Sequence, residues 1–383
     1  MALLAAACSA PARENPLPAD LVEEAAIPGL PDARAWGDVP PDQIYRWFDE
    51  VTDEDLSKLT AVYGHEHTYL SISGGGADGA FGAGLLCGWT ESGTRPEFTL
   101  VSGISTGALI APFAFLGPDY DDALEEIYTS YSTDDLARSK SPIAVLLGDS
   151  ALNSAPMREK IAQYYDQDML DRIAEESRRG RSLLIGTTNL DAERPVIWNI
   201  GRIARSDAPN RLQIFQDVLL ASAAIPGVFE PVLFEVEANG ERYDELHVDG
   251  GATTQLFLYP IGLDWTRVLE LLEVPRSPTV YVIRNSSLEA TYQPVDRSTL
   301  AIAATTVLSL MRSSGFGDLY RLYLAAERDG MEFKLASIPD SFDVESNEPF
   351  DTAYMGALFE LGHALALEGY RWSDAPPGVE NAK

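Results

Sequence analysis

The chain has 383 residues with a hydrophobic share of 45%, which suits one large α/β domain, and it contains no apolar run long enough for a membrane-spanning helix. Lys and Arg number 28 against 59 Asp and Glu, so the net charge of −31 disfavours nucleic acid and anionic membranes as partners. With only two cysteines, a disulfide framework and a cysteine-based zinc cluster are excluded.

The first residues predict a lipid anchor followed by a tether. Small residues lead into Cys8 as they do at the end of a bacterial lipoprotein signal, although the basic start of such a signal is missing. One interpretation is that the true start lies upstream and that Cys8 is acylated at the periplasmic side of the cell envelope. The alternative is an Ala-rich start with an incidental cysteine, in a cytoplasmic protein. Frequent prolines then predict an extended tether, so residues 1–43 form the first segment.

Strands and helices alternate in the first half of the body. Apolar periodicity and Gly or Pro boundaries place these elements. They are an amphipathic helix beginning near Tyr45, a strand at 68–73, a helix at 78–91, a strand at 98–101, a helix at 106–116 and a helical segment at 119–131.

The second half continues the alternation. Several strands are apolar on both faces, which predicts a three-layer α/β/α fold with a mainly parallel central sheet. No change of composition divides the body, so one domain is expected over 44–372, with a disordered tail at 373–383. The predicted elements are a helical stretch at 156–179, strands at 182–188 and 195–198, a helix at 212–224, strands at 241–248 and 279–283, a helical region at 297–329, a strand at 331–338 and a helix at 353–370.

A glycine-rich turn follows the first strand of the body. The amides of Gly74, Gly75 and Gly76 can point at an anion beside the start of the next helix. With Gly79 the turn also fits G-x-G-x-x-G, the dinucleotide-binding fingerprint. That alternative requires an acid at the end of a second strand, whereas Glu97 stands at the start of one. The turn alone leaves both possibilities open.

The second motif is G-x-S-x-G, from Gly103 to Gly107, again between a strand and a helix. Such a sharp turn requires small residues on both sides of the serine and lifts its hydroxyl out of the sheet. Ser105 is therefore the candidate nucleophile, and the amide of Thr106 is available to a developing oxyanion.

A serine nucleophile needs a base, and two candidates occur. The order Ser105, Asp249, His363 is that of the α/β-hydrolase triad. His363, however, lies in a stretch with helical apolar spacing. Asp249 ends a strand and is followed by Gly250 and Gly251, so it can face Ser105 in a poorly solvated cleft and accept its proton directly.

Together these motifs resemble the patatin-like phospholipase family. The similarity also includes Thr187–Asp191 and Ala221–Pro226, and it spans about residues 66–252. It implies Ser105 as nucleophile, Asp249 as base and the Gly74–Gly76 amides as oxyanion donors. It also implies a lipid or phospholipid substrate, with no metal and no cofactor. The alternatives are an α/β-hydrolase esterase with the Ser105–Asp249–His363 triad, a nucleotide-binding oxidoreductase, and a catalytically silent lipid-binding protein on the same fold.

One position departs from the family pattern. Many members carry a basic residue in the glycine-rich loop where this chain has Asp78. A carboxylate facing an oxyanion hole would destabilise the transition state. We therefore expect Asp78 to point away and to cap the helix that follows.

Overall fold

A nine-stranded sheet runs through the centre of the computed structural model, which describes residues 13–141, 149–289, 292 and 294–379. Two further strands, β4 and β5, form a separate pair in those residues. In chain order the strands are β1 (Arg34–Trp36), β2 (Thr68–Ile72), β3 (Leu100–Ile104), β4 (Arg138–Ser139), β5 (Leu152–Asn153), β6 (Ser182–Asn189), β7 (Arg194–Asn199), β8 (Val232–Ala238), β9 (Glu241–Asp249), β10 (Thr279–Ser287) and β11 (Glu332–Ile338).

Helices cover both faces of this sheet. Short 3₁₀ turns at Gly76–Asp78 and Gly250–Ala252 follow β2 and β9. The α-helices are α1 (Asp42–Glu50), α2 (Asp53–Lys58), α3 (Gly79–Glu91), α4 (Thr106–Leu116), α5 (Asp121–Ser130), α6 (Thr133–Leu136), α7 (Ala155–Tyr164), α8 (Gln167–Arg178), α9 (Ile200–Arg205), α10 (Arg211–Ser222), α11 (Trp265–Leu271), α12 (Thr299–Arg328) and α13 (Thr352–Leu367).

The sheet is parallel over five strands, in the order β6-β3-β2-β10-β11. Beyond β6, strands β7 and β1 continue the sheet in antiparallel pairing, and β9 and β8 form a hairpin that also pairs with β6. The predicted α/β fold with a mainly parallel sheet is confirmed. That prediction did not include the antiparallel strands β1, β7, β8 and β9, which are called the antiparallel margin below.

Each central strand buries side chains on both faces, which is why the sheet has three layers. Leu70 and Ile72 of β2 pack with α3, α4 and α13 on one side. Tyr69 of the same strand packs with Val280 and Val282 of β10 and with α12 on the other side. Because parallel strands are covered twice, their sequences read as continuous apolar runs rather than alternating ones.

The described part of the predicted tether lies against the body instead of extending from it. Ile27, Leu30 and Ala33 are buried, and β1 pairs with β7. Prolines in this segment limit regular structure, but the apolar residues between them still have surface to bury. The described part of the predicted tail also contacts the body, since Ser373 pairs with Leu335. Cys8 lies outside the described residues.

Candidate active site

Ser105 occupies the sharp turn between β3 and α4. Its backbone angles, φ 56° and ψ −125°, lie in a region that residues with side chains rarely adopt. A Cβ on Gly103 would lie 2.2 Å from the carbonyl oxygen of Gly107, and a Cβ on Gly107 would lie 2.3 Å from that of Ile72. Close backbone contacts therefore require both glycines, and the strained turn holds Ser105 at the carboxyl end of the parallel strands.

Ser222, the last residue of α10, supports this turn from the side. Its buried hydroxyl accepts a hydrogen bond from the Ser105 amide at 3.0 Å and donates one to the Gly186 carbonyl at 2.7 Å. The Ser105 amide is thus occupied, whereas the Thr106 amide begins α4, where the first amides of a helix have no intrahelical acceptor. Ser222 lies in the Ala221–Pro226 motif, but no role was predicted for it from the sequence.

Strand β6 brings the end of β3 next to the end of β9. Ile104 pairs with Gly186, and Asp249 pairs with the next residue of β6, Thr187. Strand β7 pairs with one edge of β6 along this stretch. Strands β3 and β9 therefore both pair with the other edge of β6, one after the other. Backbone pairing therefore places Ser105 and Asp249 together, although they are distant in sequence.

The carboxyl group of Asp249 is fully buried. Its Oδ1 accepts a hydrogen bond of 2.7 Å from the Gly251 amide, while Oδ2 has no hydrogen-bond partner among the described residues. Burial raises the pKa of Asp249 to about 7, and the nearby Ser105 hydroxyl and the Gly251 amide oppose that rise. Asp249 can therefore exist in either protonation state near neutral pH, with one oxygen free to take a proton.

The glycine-rich loop lies directly beside Ser105. A Cβ on Gly74 would be 3.1 Å from the Cβ of Ser105. The loop turns sharply, because Gly76 has φ +59°, and the 3₁₀ turn then leads into α3. No hydrogen bond from the amides of Gly74, Gly75 or Gly76 is found within the described residues. These donors are free to bind an oxyanion.

Asn285, near the end of β10, fixes the start of this loop. Its side-chain amide donates to the Ser73 carbonyl at 2.9 Å, and its backbone amide donates to the Ser73 hydroxyl at 2.9 Å. Its Oδ1 accepts from the amide of Gly82 in α3 at 3.1 Å. Asn285 was not among the residues predicted from the sequence. The available signal was its position at the carboxyl end of a strand predicted to be parallel.

The expectation that Asp78 caps α3 was wrong. No helix amide donates to its side chain, and its Oδ1 instead accepts a 2.5 Å hydrogen bond from the hydroxyl of Tyr354 on α13. Burial raises the pKa of Asp78 to about 6, opposed by Tyr354 and by the charge of Arg312. Asp78 precedes the helix with helical backbone angles, so its side chain is not directed at the first amides.

The remaining motif residues pack around the two turns. A Cβ on Gly79 would lie 2.1 Å from the hydroxyl of Thr106, which also makes a 2.6 Å hydrogen bond with Tyr128. A Cβ on Gly250 would lie 2.6 Å from the carbonyl oxygen of Gly186. These close approaches bring α3, α4 and β6 together around Ser105.

Two cavities meet at Ser105 and differ in polarity. The first has a volume of about 270 Å³ and includes the glycine-rich loop, Asp249 and several polar side chains. The second, of about 80 Å³, is lined almost entirely by apolar and aromatic side chains. The polar side chains of the first cavity include Asp78, Gln255, Arg284, Asn285 and Arg312. The apolar side chains of the second include Leu109, Ile127, Met157, Ile161, Phe229 and Phe350.

The histidines lie elsewhere. Nε2 of His363, on α13, is 3.0 Å from a carboxylate oxygen of Glu91 at the end of α3, and His363 lines neither cavity. His247 is buried between Thr187 and Glu245. This placement gives the Ser105–Asp249–His363 alternative no geometric support.

The described residues offer neither a metal site nor a membrane-spanning helix. They contain no group of three His, Cys, Asp or Glu side chains arranged to hold a metal ion. None of their helices is both long and apolar enough to cross a membrane.

Comparison with known proteins identifies the domain. The family model described as Patatin-like phospholipase matches residues 70–259, a range that contains Ser105, Asp249 and the glycine-rich loop. No curated protein matches the chain. The crystal structure of VipD from Legionella pneumophila is similar with a TM-score of 0.37 and 14% identity, covering 81% of this chain and 68% of that one. Residues 70–259 therefore carry a patatin-like phospholipase domain, which is a domain of a lipid acyl hydrolase family.

Proposed function

We propose that the chain is a serine acyl hydrolase that cleaves acyl esters of glycerolipids by means of a Ser105–Asp249 dyad. The observation that carries this proposal is the register of β6, which sets the strained Ser105 turn beside a buried carboxyl group with an unpartnered oxygen. A base in direct reach of the hydroxyl makes a histidine unnecessary for proton transfer.

In the first half of the reaction, Ser105 Oγ attacks the ester carbonyl and its proton passes to Asp249 Oδ2. The carbonyl oxygen becomes an oxyanion, which the free amides of Gly74–Gly76 bind. When the tetrahedral intermediate collapses, the ester C–O bond breaks and Asp249 returns the proton to the leaving alcohol. The fatty acyl group then remains on Ser105 as an ester.

In the second half, water replaces the alcohol. Asp249 takes a proton from the water while its oxygen attacks the acyl carbon, and the same amides bind the second oxyanion. Collapse breaks the bond to Ser105 Oγ, which regains its proton from Asp249. The fatty acid leaves and the enzyme returns to its starting state.

The apolar cavity supports a lipid rather than a small polar ester. It includes Ser105 and offers the first carbons of an acyl chain contact with apolar side chains. The start of α12 adds a second observation. Residues 299–311 contain no charged residue, and Ile302, Leu308 and Leu310 are more than half exposed. Leu308 also lines the polar cavity, so this apolar surface lies at the entrance to the site.

Active-site labelling tests the nucleophile. A fluorophosphonate probe should label the wild-type protein, and peptide mapping should place the adduct on Ser105. The Ser105→Ala variant should lose both the label and lipid hydrolysis, since the proposed acyl ester forms on Ser105 Oγ. Ser313→Ala is the control, because Ser313 is an exposed serine on α12 beside the cavity-lining Arg312.

Two outcomes would contradict the proposal. An adduct on another serine, or hydrolysis by Ser105→Ala at the wild-type rate, would remove Ser105 from the mechanism. A wild-type protein that binds lipid vesicles but neither reacts with the probe nor hydrolyses any acyl ester would point to the catalytically silent alternative.

A further inference from the structure

Arg284, on β10, is a buried cation with no carboxylate partner among the residues that the structure describes. It is 3% exposed, and its side chain forms a 2.8 Å hydrogen bond from Nε to the hydroxyl of Ser286. Its guanidinium carbon lies 4.1 Å from the centre of the Phe316 ring. Within the described residues, the Arg284 side chain has no ion pair and no further hydrogen bond. A buried charge is costly unless it is paired, so this arrangement calls for an anion.

Other buried arginines of this protein are paired. Arg34 forms an ion pair with Glu245, Arg95 with Asp121 at 2.8 Å, and Arg181 with Glu176 at 3.0 Å. The chain has 59 acidic residues available for such pairs. The absence of a carboxylate at Arg284, within the described part of the chain, is therefore a property of this location rather than of arginine burial in general.

A second arginine shares the location. Arg312, on α12, lines the same cavity as Arg284 and Ser105. Its guanidinium donates to the carbonyl oxygens of Ser287 and Glu289, and it lies 5.8 Å from the centre of the Phe316 ring. Burial, together with the charge of Arg312, lowers the pKa of Arg284 to about 10. Two like charges that face one cavity repel each other until an anion binds between them.

The acids of the cavity do not provide that anion. Asp78 accepts its hydrogen bond from Tyr354, and Asp249 is bound to the Gly251 amide. Burial raises the pKa of each of these carboxyl groups, to about 6 and about 7, so both are partly protonated near neutral pH. Neither forms an ion pair with an arginine.

We propose that Arg284 and Arg312 form an anion-binding subsite that holds the phosphate of the substrate headgroup while the acyl ester lies at Ser105. Guanidinium groups bind phosphate oxygens through charge-assisted, often bidentate hydrogen bonds. The apolar cavity leaves Ser105 in another direction, so the acyl chain and the headgroup occupy different cavities. Many family members carry a basic residue where this chain has Asp78, and the two arginines supply positive charge in the same cavity. This inference rests on the proposed acyl hydrolase function.

The test compares two substrates that differ only by the phosphate of the headgroup. Hydrolysis of a lysophosphatidic acid and of the monoacylglycerol with the same acyl chain is measured for wild type, Arg284→Met and Arg312→Met. Each variant should lower the ratio of kcat/KM for the phosphate-bearing lipid to that for the neutral lipid by roughly 10- to 100-fold. Arg284→Lys should retain more of this ratio than Arg284→Met, because it keeps the charge.

Arg297→Met is the matched control. Arg297 is an exposed arginine just before α12 and lines neither cavity, so its loss should leave the ratio unchanged. Melting curves accompany every variant. If Arg284→Met fails to fold, the ratio for Arg312→Met decides.

Inhibition by inorganic phosphate tests whether the subsite also binds a free anion. It should inhibit wild-type hydrolysis of the neutral lipid competitively, and Arg284→Met should be less sensitive to it. An unchanged ratio in folded variants overturns the inference, including the case in which phosphate inhibits but the ratio does not move. If wild type hydrolyses neither lipid, the proposed function itself fails, which is a distinguishable result.

Discussion

At the scale of single residues, the central feature is a carboxyl group that is buried without being neutralised by a cation. Burial raises the pKa of Asp249 to about 7, and its Oδ2 has no hydrogen-bond partner among the described residues. A base with a pKa near the working pH combines a useful fraction of the ionised form with sufficient proton affinity. In the proposed mechanism Asp249 would thus take the role that a histidine has in the more common serine hydrolases.

The rate should depend on pH through this group. Asp249 accepts a proton only when ionised, so kcat/KM for a soluble ester should be constant above about pH 7 and should fall about tenfold per pH unit below it. The measurement is a pH profile for wild type and for Asp78→Asn, because Asp78 has a pKa raised to about 6 in the same cavity. The acid limb should persist in Asp78→Asn. A wild-type rate that is flat between about pH 5 and 9 would contradict Asp249 as the base.

Residues whose type and spacing carry chemistry could be predicted, and residues that act through tertiary contacts could not. The strand-turn-helix context predicted Ser105 and its glycines, and the structure brings Asp249 beside them. Asn285 and Ser222 support the site from other strands and helices, and their local sequence does not show which distant groups they contact. At Asp78 a local capping rule gave the wrong prediction, because the side chain accepts a hydrogen bond from Tyr354 on α13 instead.

At the scale of elements, the turn after β3 depends on α10 through Ser222. Removing its hydroxyl leaves the buried amide of Ser105 and the carbonyl of Gly186 without this partner, which should destabilise the fold by about 1–3 kcal/mol. Ser222→Ala should also lower kcat, because the strained Ser105 backbone loses a restraint.

Melting curves and steady-state kinetics of Ser222→Ala measure both effects. Ser206→Ala is the control, since that hydroxyl, just after α9, makes only local bonds: it donates to the Ile203 carbonyl at 2.7 Å and accepts from the Ala208 amide at 3.4 Å. Wild-type stability and kcat in Ser222→Ala would show that α10 does not support the turn.

Elements covered on both faces were predicted closely, and elements at the margins were not. Helices α3 and α4 begin and end within one residue of their predicted bounds. The helical stretch predicted at 156–179 is two helices, separated where the Asp166 side chain caps α8 by accepting from the Met169 amide at 2.9 Å. Strand β8 was missed, although buried and exposed residues alternate along it, as expected for an antiparallel strand with one solvated face.

At the scale of the whole molecule, the antiparallel margin completes the site. The β8–β9 hairpin delivers Asp249 to the edge of β6 just beyond the end of β3. The N-terminal segment then covers this margin, with Arg34 paired to the buried Glu245 of β9. Alternation of strands and helices predicts the parallel sheet, but pairing of distant antiparallel strands depends on contacts that no local pattern encodes.

Charge and anchoring belong to the same scale. The net charge of −31 is unfavourable for binding anionic bilayers, so access to lipid would depend on the uncharged start of α12 rather than on electrostatic attraction. The lipid anchor at Cys8 and the location in the cell envelope stay predictions.

The most direct test of the Ser105–Asp249 dyad is the activity and stability of Asp249→Asn at one pH. Asn keeps the size of the side chain and its acceptor for the Gly251 amide, but it cannot take a proton from Ser105. The folded-state pKa of Asp249 lies above its unfolded value, so the wild type loses stability as pH rises from about 4 through 7, and the neutral Asn escapes this loss. At about pH 8 the variant should therefore melt at or above the wild-type temperature while kcat/KM falls by roughly two to four orders of magnitude. A folded Asp249→Asn protein with wild-type kcat/KM would contradict the account.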